Sequence, residues 1–219
     1  MQLNPEGVIF DLDGTLIASE GIYRDAWRQA ARELGIALTD EVYARLIGLN
    51  RHDTIIKLAE MWSGREQAES FVDLSQHHYD TMVAKQGHAL RPGVRSLLDH
   101  LARQKMPLAV ATSSARQLAL DTLAAAKLTD YFQVVVGGDE IARGKPGPEI
   151  YLEAAARLGC NPTSCVAFED SVNGATAALW AGMTVVLVPE LGTPAHDRLA
   201  RVIRLGDHNA AIDLFPAGN

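Results

Sequence analysis

Val8-Ile9-Phe10-Asp11-Leu12-Asp13-Gly14-Thr15 is the stretch around which the chain is organised. A short apolar run stops at two carboxylates on alternate residues, followed by glycine. Val8 to Phe10 suits a buried strand, and aspartate is a poor strand former, so the strand should end where the acids begin. Gly14 permits a turn that a side chain would obstruct. Asp11 then stands at the carboxyl end of a strand, where open α/β sheets place their ligands. In extended backbone, Asp11 and Asp13 point the same way. Two carboxylates held close resist joint ionisation unless a cation joins them or one keeps its proton. That is how a metal site, or a nucleophile with an acid, is built. Taken alone, the pattern is more often a solvated turn.

Downstream of this stretch the chain turns helical. Ile22, Ala26, Ala30 and Leu34 repeat at fourth positions, and Gly35 closes that helix. Thr39 and Asp40 open a second helix that Gly48 breaks. Residues 52–62 and 65–85 read as a third and a fourth helix. No strand pattern occurs before Gly87, so residues 16–88 form an all-helical, four-helix block.

After Arg91-Pro92-Gly93 the rhythm becomes helix alternating with apolar strand. Strands are expected at 107–111, 132–136, 165–168 and 183–188. Helices are expected at 93–104, 115–126, 146–158 and 172–181, with an amphipathic segment near 196–203 and a short helix near 208–214. Apolar strands without alternation, separated by helices, mean a parallel sheet covered on both faces. The fold class is therefore α/β, a Rossmann-like parallel sheet core, with the helical module inserted after its first strand. The core is expected to comprise 1–15 and 89–219.

The composition agrees. The chain has 219 residues, 47% of them apolar, which suffices for a sizeable core and argues against disorder. Its net charge is −7, and it has no basic cluster, so nucleic acid is not an expected partner. Cys160 and Cys165 match neither a thioredoxin-like pair nor a zinc knuckle, and read as ordinary apolar residues of a reducing compartment. No signal peptide is visible, and no apolar run is long enough to span a bilayer. A cytoplasmic monomer without a membrane partner is the expectation.

Three strands end in polar residues suited to phosphate or metal: Asp11 with Asp13, Thr112 with Ser113, and Glu169 with Asp170. In a parallel sheet all these ends lie on one edge, so the groups can converge. Lys145 lies in the turn Gly144-Lys145-Pro146-Gly147-Pro148, which suits an inward-aimed lysine. Together these residues offer carboxylates to a hard cation, with a hydroxyl, backbone N–H groups and a lysine for phosphate oxygens. Singly, each has a plainer reading: Thr112 an N-cap, Lys145 a solvated loop cation, Glu169-Asp170 a capping pair. Four in order, three of them at strand ends, make coincidence a poor account.

The order Asp11-Leu-Asp13-Gly-Thr15, Thr112-Ser113, Lys145-Pro146 and Glu169-Asp170-Ser171 resembles the four motifs of the haloacid dehalogenase superfamily of phosphotransferases. The helical block at 16–88 resembles the small cap of its phosphoglucomutase and sugar-phosphatase branch. The resemblance implies an aspartyl-phosphate on Asp11, with Asp13 as acid for the leaving oxygen and then base for water. It implies Mg²⁺ held by Asp11, the Asp13 carbonyl and Asp170, with Glu169 bound directly or through water. It places phosphoryl oxygens on Thr112, the Ser113 backbone and Lys145. For Asp13 to keep its proton beside a metal, its side chain must turn away from the ion.

Asp13 argues against a dehalogenase, which has no leaving alcohol to protonate. The resembling hexose-phosphate mutases carry a histidine where Tyr23 stands here, and a cap lysine near Ser75 to His78 that is missing here. Hydrolysis is therefore expected, with a phosphosugar mutase as the alternative and a non-enzymatic phosphoacceptor as a remote one. Gly48-Leu49-Asn50-Arg51 resembles the cap loop that binds the distal part of substrate. There Arg51 is a candidate clamp for a second anionic group, or else a solvated helix-start arginine. Arg116 is a weaker candidate of the same kind. Ser19-Glu20 matches part of an Asp-Ser-Glu pattern near the hinge, with Ala18 in place of its aspartate.

Overall fold

A computed structural model describes residues 2–62, 64–190 and 202–216. Six parallel strands form its sheet: β1 (Gly7–Phe10), β2 (Leu108–Ala111), β3 (Val134–Val136), β4 (Cys165–Glu169), β5 (Thr184–Leu187) and β6 (Ile203–Arg204). Their order is β3-β2-β1-β4-β5-β6. The chain therefore works outward from β1 in one direction, then from β4 in the other. The gap between β1 and β4 is the topological switch point, where doubly wound sheets bind ligands.

Register places the polar strand ends side by side. Phe10 pairs with Phe168 and with Val110, so the residues that follow them leave the sheet together. The ladder runs one step further, where the Asp11 N–H donates to the Phe168 carbonyl at 3.0 Å. Alternation along β1 feeds two cores. Val8 and Phe10 join the apolar cluster built with α5 (Val94–Arg103), α6 (Arg116–Ala125) and the C-terminal turn. Ile9 joins the cluster built with α7 (Glu149–Leu158) and α8 (Val172–Trp180) on the other face. Phe10 stacks on Phe168 with centroids 4.7 Å apart.

The helical module contains α1 (Glu20–Glu33), α2 (Asp40–Leu46), α3 (Arg51–Met61) and α4 (Arg65–Gln86). Thr39 caps α2 by accepting the Val42 N–H, and Asn50 caps α3 by accepting the Asp53 N–H. These helices bury a cluster of their own, with Leu46, Leu58 and Phe71 at its centre and Trp27 and Trp62 edge-on to Phe71. Two adjacent backbone crossings join module and sheet, with Ala18 N–H donating to Ala89 O and Arg91 N–H to Leu16 O.

The structure departs from the sequence expectations in places. β6 was not expected. It falls at the end of the segment near 196–203, of which 196–201 lie outside the described residues. Two residues give too short a pattern to read. The final helix is a 3₁₀ helix, Asn209–Leu214. α7 begins at Glu149 rather than 146, because Pro146 to Pro148 are spent in the turn that aims Lys145. Thr112 is not a helix cap, since Ala115 holds that position at α6.

Candidate active site

Asp11, Lys145, Glu169 and Asp170 converge at the carboxyl edge of β1 and β4, all buried. Lys145 Nζ lies 2.5 Å from Asp11 Oδ1, 2.6 Å from Glu169 Oε1 and 3.2 Å from the Ala111 carbonyl. Each ammonium proton thus has an acceptor, which is what a fully buried lysine requires. Its two carboxylate partners hold Lys145 above the ordinary lysine range, despite its burial. The Lys145–Pro146 peptide is cis.

Glu169 is the hub of this arrangement. Its Oε1 also accepts the Tyr151 hydroxyl at 2.6 Å, and its Oε2 accepts the Ser171 hydroxyl and the N–H groups of Asp170 and Ser171. Glycine makes room for two of the acids. A Cβ at Gly174 would overlap the Glu169 carboxylate, and one at Gly14 would overlap that of Asp170. Gly14 also adopts φ +79°, a conformation that side chains rarely tolerate.

Oxygens of Asp11, Glu169 and Asp170 lie within 4.8 Å of one another. Burial and the neighbouring carboxylates push Asp11 up to about 8, against the pull of Lys145. Burial, then Glu20, Glu169 and Asp11, push Asp170 well up. Crowded, dry carboxylates of this kind fit a hard divalent cation, which replaces the protons they would otherwise hold. The Asp13 carboxylate is not part of this group. Its Oδ2 accepts the Ser114 hydroxyl at 2.8 Å, and Ser19 bonds to the same carboxyl. Burial still raises it, favouring the protonated form that can donate.

A cavity of about 310 Å³ opens over Asp11 and Asp13. Thr112, Ser113 and Ser114 line its lower wall, and residues of the helical module line the rest. Thr112 Oγ1 accepts the Ser114 N–H, which fixes this turn. The module closes on the sheet edge through short contacts. The Ser113 hydroxyl donates to Gly48 O, and the Asn173 amide donates to Ile47 O, each at 2.8 Å. Gly48 lies so close to Ser171 that a Cβ there would crowd its hydroxyl.

The two candidate arginines part company. Arg51 lines the cavity but is ion-paired to Asp73 at 2.6 Å. Arg116 does not line it. Its guanidinium turns to the Val135 carbonyl and Glu140, on the outside of the sheet edge. Tyr151, Ser114, Ser75, Tyr43 and the buried Glu20 are further residues of the site, none of them given a role by the sequence alone. Ser114 had a signal, since it directly follows Thr112-Ser113, and Glu20 lay in the noted Ser19-Glu20 pair. Tyr151 had none, because its role depends on where α7 places it relative to Glu169. Glu20 lines the cavity, accepts the Tyr43 hydroxyl at 3.0 Å and is pushed by burial to about 8.

The pattern described as haloacid dehalogenase-like hydrolase matches residues 8–188. The phosphorylated carbohydrates phosphatase of Thermotoga maritima is 36% identical over 178 residues, 81% of this chain and 82% of that protein. Hexitol phosphatase A of Escherichia coli is 33% identical over 84% of this chain and 82% of its own length. Among solved structures, CbbY from Rhodobacter sphaeroides in complex with phosphate superposes with a TM-score of 0.80 at 27% identity, covering 95% of this chain and 96% of that one.

Proposed function

This chain belongs to the haloacid dehalogenase-like hydrolases, as a phosphatase of phosphoric monoesters, and on that premise we propose that it hydrolyses small sugar or organic phosphates with Mg²⁺ through an aspartyl-phosphate. The observation that carries this reading is the meeting of Asp11, Lys145 and the buried carboxylates beneath one cavity. The relatives named for carbohydrate and hexitol phosphates support the substrate class.

Asp11 attacks phosphorus, and the bond to the ester oxygen breaks. Asp13, turned toward Ser114 and kept above the usual carboxylate range by burial, gives its proton to the leaving oxygen. It then takes a proton from the water that attacks the acyl phosphate and frees Asp11. Lys145, Thr112 and the backbone N–H of Ser113 hold the transferred oxygens. Glu169 and Tyr151 fix Lys145 in place. Asp11, the Asp13 carbonyl and Asp170 would hold the Mg²⁺, with Glu169 beside them, and the ion would supply positive charge to offset that of the phosphoryl group.

Phosphate release from a panel of esters, with and without Mg²⁺, tests this reading. Mg²⁺-dependent release from the wild type, reduced at least about 10³-fold by Asp11→Asn, is the expected result. A phosphosugar mutase is the second reading. Tyr23, in the place of the mutase histidine, stacks on Tyr79 with centroids 3.8 Å apart, an arrangement that offers no imidazole for proton transfer. Isomerisation of β-glucose 1-phosphate that requires a bisphosphate activator and releases no phosphate would establish the mutase instead.

A further inference from the structure

No ion pair between described residues joins the helical module to the core; each lies within one or the other. One charged side chain of the core nevertheless reaches across, at the first turn of α1. Glu190 follows β5, and its Oε2 accepts the Glu20 N–H at 3.1 Å. The Gly21 N–H bonds to the same carboxylate.

The first-turn N–H groups of a helix have no acceptor within the helix, and the N-cap side chain ordinarily supplies one. Ser19 stands at the N-cap of α1 but makes no cap bond. Its hydroxyl is committed elsewhere, accepting the Gly14 N–H at 2.9 Å and bonding to the Asp13 carboxyl. Ala18 has no polar side chain to take its place. Glu190, 170 residues away in the chain, does so instead, and its carboxylate also meets the positive end of the helix dipole. The segment that carries it is held firmly. Arg91, a charged neighbour of Glu190, is buried and donates to the carbonyls of Val188 and Pro189 at 3.1 and 3.0 Å.

This turn of α1 governs the cavity. Glu20 and Tyr23 line it. The Tyr43 hydroxyl bonds to Glu20 and ties α2 to the same turn. Beyond α2, the Ile47 and Gly48 carbonyls accept from Asn173 and Ser113 of the core. The start of α1 and the far rim are thus joined through α2.

We propose that Glu190 is a positioning residue: a carboxylate of the core that seats the first turn of α1 and so holds the helical module closed over Asp11 and Asp13. Its kinetic consequence rests on the phosphatase reading above, while the contact itself is measured without it.

The test uses Glu190→Ala and Glu190→Gln. Amide hydrogen exchange reads the contact, because the Glu20 and Gly21 N–H groups have no backbone acceptor among the described residues. Both should exchange slowly in the wild type and at least about tenfold faster in Glu190→Ala. In Mg²⁺-dependent hydrolysis of p-nitrophenyl phosphate and of a hexitol phosphate, Glu190→Ala should raise KM about tenfold and leave kcat within about twofold. Bound substrate must then supply the closing free energy that the contact gave. Glu190→Gln keeps an acceptor oxygen without the charge, so its KM should rise only about threefold. If Glu190→Ala does not fold, Glu190→Gln carries the same test. Unchanged KM in the variants overturns the proposal, as does a fall in kcat at unchanged KM, the mark of displaced catalytic groups. Fast exchange of both amides in the wild type overturns it too. If the wild type hydrolyses no ester, the phosphatase reading falls by itself, and slow exchange that is lost in Glu190→Ala still supports the seating of α1 by Glu190.

Discussion

Lys145 and His208 show two ways in which a single buried cationic residue is tolerated. Lys145 is surrounded by two carboxylates and a carbonyl and stays charged. His208 is fully buried on Phe168, ring centroids 5.9 Å apart, and neither ring nitrogen has a partner. Burial first, and Arg91 second, push it down to about 4, so it stays neutral. Its folded pKa lies below that of the unfolded chain, roughly 6.5. The unfolded state therefore binds the extra proton between these values, and the stability held above pH about 6.5 is lost as pH falls toward about 4. The loss is on the order of 3 kcal/mol. Denaturant titrations across this window should show His208→Leu gaining on the wild type as pH falls. A difference that stays constant with pH would mean that His208 is not held neutral in the folded state.

At the scale of elements, the junction of β4 and α8 does most to position the chemistry. β4 delivers Glu169 and Asp170, and Ser171 caps α8 by accepting the Gly174 N–H at 3.0 Å while donating to Glu169. Gly174 sits inside the first turn of α8 because the Glu169 carboxylate occupies the space a Cβ would take. In an exposed helix, Gly→Ala stabilises by about 1 kcal/mol. Here Gly174→Ala should lower Tm and cut activity by at least about tenfold, since Glu169 must shift and release Lys145. A higher Tm with activity retained would show that the carboxylate has room to move. Glu190, beyond β5, plays a related part at the hinge by accepting the first N–H of α1 at 3.1 Å.

At the scale of the whole molecule, the sheet edge gathers buried acids, and the helical module covers them. This arrangement is strained electrostatically in the absence of a cation. The folded pKa of Asp11, about 8, lies above the unfolded carboxyl value, and Asp170 is raised as well. Stability from these groups is present below the unfolded value, near 4, and is lost as pH rises through about 8. A cation that displaces the protons reverses this loss, so its binding should strengthen with pH. Thermal melts should show Mg²⁺ raising Tm more at pH about 8.5 than at about 6, and Asp170→Asn should shrink the difference. A Tm shift independent of pH would indicate that Mg²⁺ binds elsewhere.

Strand ends, glycine turns and helix periods are local properties, so the sequence by itself determined the parallel α/β core, its inserted helices and the edge on which Asp11, Asp13, Thr112, Lys145, Glu169 and Asp170 gather. A side chain's direction and partners depend on what the rest of the chain packs around it. Only the tertiary structure brought Tyr151 to Glu169 and turned Asp13 toward Ser114. It also paired Arg51 with Asp73, sent Arg116 outward and left the Ser75 hydroxyl unpaired in the cavity. Those contacts join residues far apart in the chain, and no spacing in the sequence encodes them.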